Sequence, residues 1–510
     1  MIAIEQERFF RNKKGGMMEK VIIYICALVI FIFSLSQWVY ADELLDLKAQ
    51  MSIMQKQMQA MQEKIESLEA QRQAALPKTV EDRLVSLEEE IKKKAADWTD
   101  KIKLSGSLWE YFISQDSSYF GKTSSYVLES TVKIGMEAKL TDQVSANILL
   151  TAQNAAGDAG DYSGVGSDDW VVEPELANIV YSNILKMPLS LTLGRQNLMY
   201  GDGFIICDGY SDPRAVWTTP IRSFYALKAV YENGPIKLDG FMALPDRDFK
   251  SYETYLTDAT TRTGKRTLYG TNLHFEKEKY GIWDLGVFFK GDDSDLQSDT
   301  LAISQRGSYT FDFWPESKIL PQLTFEGEIV EESGRTLVKD HALTTSKYDR
   351  SAFGGHWDAK LSFTKTPFSP YLKGSYIYLP GDDPDTDKNE AFDPMFYGFN
   401  CAGKWFIGDI NSWTLSNYNE RVIMTEVGLS PTKNTLLRGQ YFYLTLDRQI
   451  TEEAGKRWSH EVNIIFDYFP NNWFFSGAEF GYAHPLKAAR AYAGDDQDTT
   501  EFLLWLGVNF

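Results

Sequence analysis

Three of the 510 residues are cysteine and five are histidine. No Cys-x-x-Cys or Cys-x-x-Cys-His spacing occurs, which removes zinc-ribbon and c-type haem readings. Cys26 lies in an apolar run near the amino terminus, leaving Cys207 and Cys401; an oxidising compartment permits a disulfide between them, and their spacing does not require one. No Gly-x-Ser-x-Gly is present, and His274, His341, His356, His460 and His484 give acyl-transfer chemistry little support. No catalytic residue, metal ligand set or cofactor is assigned. Basic residues are in deficit, with 52 Lys and Arg against 71 Asp and Glu, for a net charge of -19. Such acidity argues against a nucleic-acid footprint. There is one long apolar run, so a bundle of membrane helices is excluded. A transmembrane barrel is not, because its strands are apolar on one face only.

That run, residues 21–35, follows Lys20 and ends near Val39-Tyr40-Ala41, a small-x-Ala cleavage pattern. This is the architecture of a secretory signal peptide over residues 1–41, and Met17 and Met18 offer alternative starts to Met1. An uncleaved anchor is the plainer reading, although the run is short for a spanning helix. Leu44, Leu47, Met51, Met54, Met58, Met61, Ile65 and Leu68 then alternate spacings of three and four, an a/d seam. Pro77 interrupts it, and Val80, Leu84, Leu87 and Ile91 resume it. Residues 42–98 therefore read as a periplasmic α-helical coiled coil. It either self-associates, making the protein a homo-oligomer, or folds back on itself.

From residue 99 to 510 the pattern changes to short amphipathic strands. Val132, Ile134, Met136 and Ala138 oppose Thr131, Lys133, Gly135, Glu137 and Lys139. Val462, Ile464 and Phe466 oppose Glu461, Asn463 and Asp467. The apolar rows are expected to face lipid and the polar rows a lumen. Tight links near 140–143, 186–188, 233–235, 277–281, 366–370, 431–434 and 470–472 alternate with long polar stretches at 154–169, 246–265, 291–300, 331–350, 381–394 and 487–499. Short turns at one rim and long loops at the other are the outer-membrane barrel habit. Aromatic residues make up 14% of the chain, enough for two interfacial girdles. Counting strands around the turns predicts an all-β transmembrane barrel of about 18 antiparallel strands, wide enough for a channel. The chain ends on Phe502, Leu504, Leu506, Val508 and Phe510, an alternating strand that resembles the signal read by the outer-membrane barrel assembly machinery.

At residues 193–202 the chain reads LGRQNLMYGD. Here, and at GDDPDTDKNEAFDPMF (381–396), LSPTKNTLLRGQYFYL (429–444) and HEVNIIFDYFPNNWFFSGAEFGYAHP (460–485), it resembles the alginate-export family of outer-membrane porins. The resemblance implies an 18-stranded barrel conducting saccharide-type solutes, with an acidic polysaccharide as founding substrate. The coiled coil lies outside it.

A passive conduit needs lumen groups that replace part of the solute's hydration, and Arg can fork onto a carboxylate. Carried over by motif, the pore-lining candidates are Arg195, Gln196, Tyr200 and Asp202, followed by Arg214, Arg222 and Lys228, and then Lys404 and Arg438. Parity with Leu191 and Leu193 puts Arg195 on the lipid row, unless Gly194 forms a bulge that re-aims it. Otherwise it is a structural ion-pair partner, with Asp202 as one candidate. The carboxylates Asp382, Asp383, Asp385, Asp387 and Glu390 have Ca²⁺-loop spacing but lack the glycine of the sharp turn, so a solvated outer loop is favoured over an inward constriction or cation site. The leading function is an outer-membrane porin for oligo- or polysaccharides. An envelope anchor tethered through the coiled coil is the alternative. Expected partners are membrane lipid and lipopolysaccharide, the assembly machinery, a saccharide solute and further copies of the chain.

Overall fold

In the computed structural model the chain divides into two compact units, Met1–Asp97 and Trp98–Phe510. The described residues are 83, 85–87 and 101–510, apart from 123, 158–169, 208–222, 246–265, 294–296, 313–314, 316, 318–320, 340–341, 397–406 and 416–417. In the first unit Arg83 and residues 85–87 are helical. The expected signal peptide, and the rest of the expected coiled coil, lie outside the described residues. Among the described residues no helix is long and apolar enough to cross a membrane. In the second unit, strands do the crossing.

The first ten strands are β1 Ile102–Asp116, β2 Ser125–Lys139, β3 Val144–Gly157, β4 Val171–Tyr181, β5 Leu189–Gln196, β6 Phe224–Asn233, β7 Ile236–Leu244, β8 Arg266–Lys277, β9 Gly281–Asp292 and β10 Asp299–Phe311. They are followed by β11 Gln322–Lys339, β12 Ala342–Ser362, β13 Tyr371–Leu379, β14 Lys388–Asn389, β15 Glu420–Leu429, β16 Thr435–Leu446, β17 Arg457–Tyr468, β18 Phe474–Pro485 and β19 Thr499–Asn509. Wall strands pair antiparallel with their chain neighbours, and β13 pairs β15. The last strand returns to the first, from Ser107↔Asn509 to Asp116↔Thr500. The two-residue β14 stands outside the ring and lies parallel on β12. The remaining 18 strands form a closed antiparallel barrel, as the turn count predicts. Closure leaves no edge with unpaired backbone groups, which a bilayer would not tolerate.

Alternation assigns the faces. On β2, Tyr126, Leu128, Ile134 and Met136 are exposed on the outside, whereas Glu129 and Thr131 are fully buried inside. On β17, Ile464 and Phe466 are exposed and Glu461 and Asn463 are buried. Such apolar exposure around a wall is the signature of a lipid-facing surface. The tight links all fall at one rim, for example Asn233 to Ile236 and Lys277 to Gly281.

One expected loop is instead strand. Residues 331–350 continue β11 and β12 as a paired hairpin through Val338↔Leu343. Here the outward row carries the exposed pair Arg335–Asp349 while Thr336, Val338 and Arg350 stay buried inside, and the backbone ladder continues. A second correction concerns 381–396, expected as a solvated outer loop. It folds inward, and Asp382, Asn389, Phe392, Asp393, Met395 and Phe396 are all buried.

Candidate conduit and its plug

Two segments from the long-loop rim fill the neighbouring part of the lumen. The first follows β5 over residues 197–207. Its Leu198, Phe204, Ile205 and Ile206 are almost completely buried. The second is the inward stretch 381–396. They meet as a parallel bridge, with Phe396 N–H donating to the Ile205 carbonyl at 2.9 Å and Cys207 N–H donating to the Phe396 carbonyl at 3.1 Å. Aromatic rings tie both to the wall. Tyr200 stacks on Phe241 at 5.2 Å, Phe204 packs on His356 and Phe392, and Phe224 meets Phe396 edge-on at 5.4 Å. This apolar cluster continues to Phe442, Leu444 and Trp458 on the other side. The two segments and the inner wall thus share one buried apolar cluster at this level, and together the segments are termed the plug.

Charge fixes the plug in place. Asp393 is paired with Lys290 of β9, lies 3.5 Å from Arg350 of β12 and accepts from Thr300 of β10 at 2.5 Å. Its own N–H donates to Glu332 of β11 at 2.8 Å. Burial pushes the Asp393 carboxyl up, but Lys290 and Arg350 outweigh it and hold the group below the usual carboxylate range. Nearby, the Lys339 ammonium lies 3.0 Å from Asp382 Oδ1, 2.5 Å from the Asp383 carbonyl and 2.6 Å from the Lys388 carbonyl. A lysine side chain thus occupies the centre of the loop whose carboxylate spacing resembled a Ca²⁺ loop. Arg448 holds Asp383 from outside at 2.8 Å.

Asp202, at the tip of the first segment, meets Arg306 Nε at 2.6 Å and His356 Nε2 at 3.1 Å. Glu328 accepts from Asp202 N–H at 2.7 Å and from Ser304 at 2.6 Å. Asp202, Glu328 and His356 bring one ligand atom each within 4.8 Å, a spacing that could hold a cation. Arg306 already supplies positive charge there, and the acceptors are engaged. Arg306 also reaches Asp284 at 3.2 Å and Glu326 at 3.0 Å, linking β9, β10 and β11 to the plug tip.

A short helix, α1 (Asp409–Thr414), also packs against the inner wall. Glu461 of β17 accepts from the N–H groups of Asp409, Ile410 and Asn411 at 2.6, 3.1 and 2.8 Å, satisfying its first turn. Asp409 itself is 1% exposed and faces Glu501 and Glu461. Burial, then these two carboxylates, pushes the Asp409 carboxyl well above its usual range.

The expected site residues separate into three groups. Arg195 sits beside Tyr225, on the outward register, but is 4% exposed. It donates to Ser223 Oγ at 2.6 Å, lies over the Tyr225 ring and is 3.6 Å from Glu173. Its ion-pair partner is Glu173, whereas Asp202 is engaged by Arg306. Gly194 does carry a positive φ of 122°, and its missing side chain leaves room for the Ala177 carbonyl. Gln196 donates to the Ala226 carbonyl at 2.9 Å. Gln196, Tyr200 and Asp202 are all buried in the wall or plug. Lys228 and Arg438 are half-buried on the lumen rows of β6 and β16, and Arg438 pairs with Asp467 at 2.8 Å. Arg214, Arg222 and Lys404 lie outside the described residues. Cys207 is disulfide-bonded; Cys401 lies outside the described residues. Sequence reasoning missed Lys290, Arg306, Lys339, Arg350 and Lys360. All five fall on the lumen rows of strands β9 to β12 or just above them, so reading every polar row for cations would have found them.

The sequence profile of the alginate export family matches residues 118–454, more than half of the chain. No curated protein sequence matches. Among solved structures, the outer membrane protein OprD from Pseudomonas aeruginosa aligns with a TM-score of 0.51 at 12% identity, over 80% of this chain and 93% of its own. OccAB1 of Acinetobacter baumannii gives a TM-score of 0.53 at 8% identity, over 80% and 96%. OccK11 (OpdR) of Pseudomonas aeruginosa gives 0.51 at 10%, over 80% and 96%. These likenesses carry the fold, an 18-stranded barrel of the outer-membrane porin type. By its sequence profile, this chain belongs to the alginate export family.

Proposed function

We propose that the protein is a plugged outer-membrane channel for oligo- or polysaccharide-type solutes that carry negative charge. The observation that carries the reading is a pair of lumen ammonium groups, Lys228 on β6 and Lys360 on β12. Among the described residues neither has a carboxylate at ion-pair distance, and Lys360 lies 4.0 Å over the Tyr371 ring. Many other lumen cations of the wall are tied in pairs, such as Lys133–Glu175 at 2.7 Å and Lys373–Asp358 at 3.4 Å. A charge that is already neutralised contributes little to a passing ion, whereas an unpaired ammonium in a narrow aqueous path selects for anions. The family match supports an acidic saccharide as the solute. The plug makes passage conditional, since solute and apolar core cannot share the same cross-section.

The test is ion selectivity of the purified protein in planar bilayers, followed by current block with uronate oligosaccharides. Anion preference with concentration-dependent block by uronates is expected. Strong cation selectivity would redirect the reading to neutral or cationic solutes, and a barrel that never conducts would end it.

A further inference from the structure

Glu110 is placed where a lipid-facing carboxylate should not be. It lies near the middle of β1, between Leu108 and Phe112 on the outward row. Leu108 is 37% exposed, and Phe112 packs on the outward Phe502. The inward row of the same strand is unambiguous: Trp109 and Tyr111 approach each other there, and Trp109 meets Phe475 edge-on at 5.1 Å. Laterally, Glu110 stands opposite Ser130 of β2 and Leu506 of β19. Ser130 in turn stands opposite Asn154 of β3. A polar row, Asn154–Ser130–Glu110, therefore crosses three neighbouring strands on a face that is otherwise apolar. The Ser130 hydroxyl donates to Glu110 Oε2 at 2.7 Å. Among the described residues no cation is within ion-pair distance of Glu110. Glu331 also points outward, but it lies just below the exposed Arg335–Asp349 pair at the rim, within reach of water.

A carboxylate held in hydrocarbon with one hydroxyl for company leaves most of its acceptor capacity unused. Another protein surface could complete it. The heptad seam of residues 44–91 supplies a reason for a second copy to be near: self-association is one of its two readings, the other being a fold-back on itself, and the seam ends shortly before β1 begins at Ile102. A seam that gathers chains would raise the local concentration of their barrels, and in a two-fold pair the same patch of each copy meets at the contact.

We propose that the outward face of β1, β2 and β3 around Glu110 is the contact surface between copies of this chain within the outer membrane. Glu110, Ser130 and Asn154 are its polar contacts, and Leu108, Leu128 and Val132 its apolar surround. The proposal does not depend on the solute.

The experiment crosslinks the full-length protein in membranes with a short bis-maleimide. Leu108→Cys, which leaves the Glu110–Ser130 bond intact, is compared with Thr425→Cys on the outward row of β15, and wild type gives the background from the native cysteines. Dimer or higher bands from Leu108→Cys alone are expected. Val132→Cys on β2 replaces it should Leu108→Cys fail to assemble. Separately, Glu110→Leu should lower the temperature at which the oligomer separates on semi-native gels while leaving barrel unfolding unchanged. Equal crosslinking from Leu108→Cys and Thr425→Cys would overturn the proposal. So would a monomeric wild-type protein, in which case Glu110 is completed by Ser130 alone.

Discussion

Replacing Asp393 by asparagine should release the plug. Asp393 is the shared counter-charge of Lys290 and Arg350, and the three side chains are 1–3% exposed. Neutralising it leaves two buried cations with one fewer partner. One-sided removal of a buried ion pair costs about 3–5 kcal/mol. Glu332 remains close by and the asparagine oxygen still accepts from Thr300, so the low end of the range applies. A loss of about 3 kcal/mol is roughly a 150-fold change in the ratio of docked to released plug, at ~1.4 kcal/mol per factor of ten. Single-channel recording reads this directly as a larger fraction of time open. Heat-modifiability on gels checks that the barrel itself is still folded. The double change Asp393→Leu with Lys290→Met strands Arg350 alone rather than both cations, and should have a smaller effect than one-sided neutralisation. An unchanged open fraction in a folded Asp393→Asn barrel would refute the idea that this charge holds the plug.

Docking of α1 should depend on pH in the opposite sense. A carboxyl pushed up by burial stays protonated when docked and ionises when released. Asp409 therefore favours docking fully below the ordinary carboxylate range and progressively less as pH rises through and above it. Asp393, held low, favours docking above that range and loses its contribution only in stronger acid. Open probability that rises with pH in wild type and flattens in Asp409→Asn is the expected record. The double variant Lys228→Met, Lys360→Met should shift reversal potentials toward cation preference, and unchanged selectivity would remove the proposed anion path. Gly194→Ala should destabilise the barrel by about 1–3 kcal/mol, because φ is 122° and a Cβ there would sit 2.3 Å from the Ala177 carbonyl. Denaturant midpoints measure this, and a neutral substitution would show that the strand can relax at that point.

The parity of alternating residues was enough to orient the wall. Glu461, Asn463 and Asp467 are inside and Ile464 and Phe466 outside, because any other facing would put the polar side-chain row of the strand in lipid. Turn spacing gave the strand number for the same local reason. Arg195 shows where parity runs out. Its row is outward, yet its side chain is drawn to Glu173 and Ser223, partners brought near by separate strands. The loop 381–396 shows a larger failure of local reasoning. Its carboxylates read as solvated because acidic, proline-containing stretches usually are. What draws it inward is remote in sequence: Lys290, Thr300, Glu332, Lys339 and Arg350 all converge on it from four wall strands.

The sequence by itself determined the barrel, its closing strand, its two rims and the face each wall residue presents. Those properties repeat with a period of two and need only a membrane to make them binding. The tertiary structure alone decided that two inward segments pack into the lumen, that Asp202 belongs to Arg306 and His356, and that Ser130 is the residue that meets Glu110. Each is a contact between residues far apart along the chain, and such contacts leave no periodic trace.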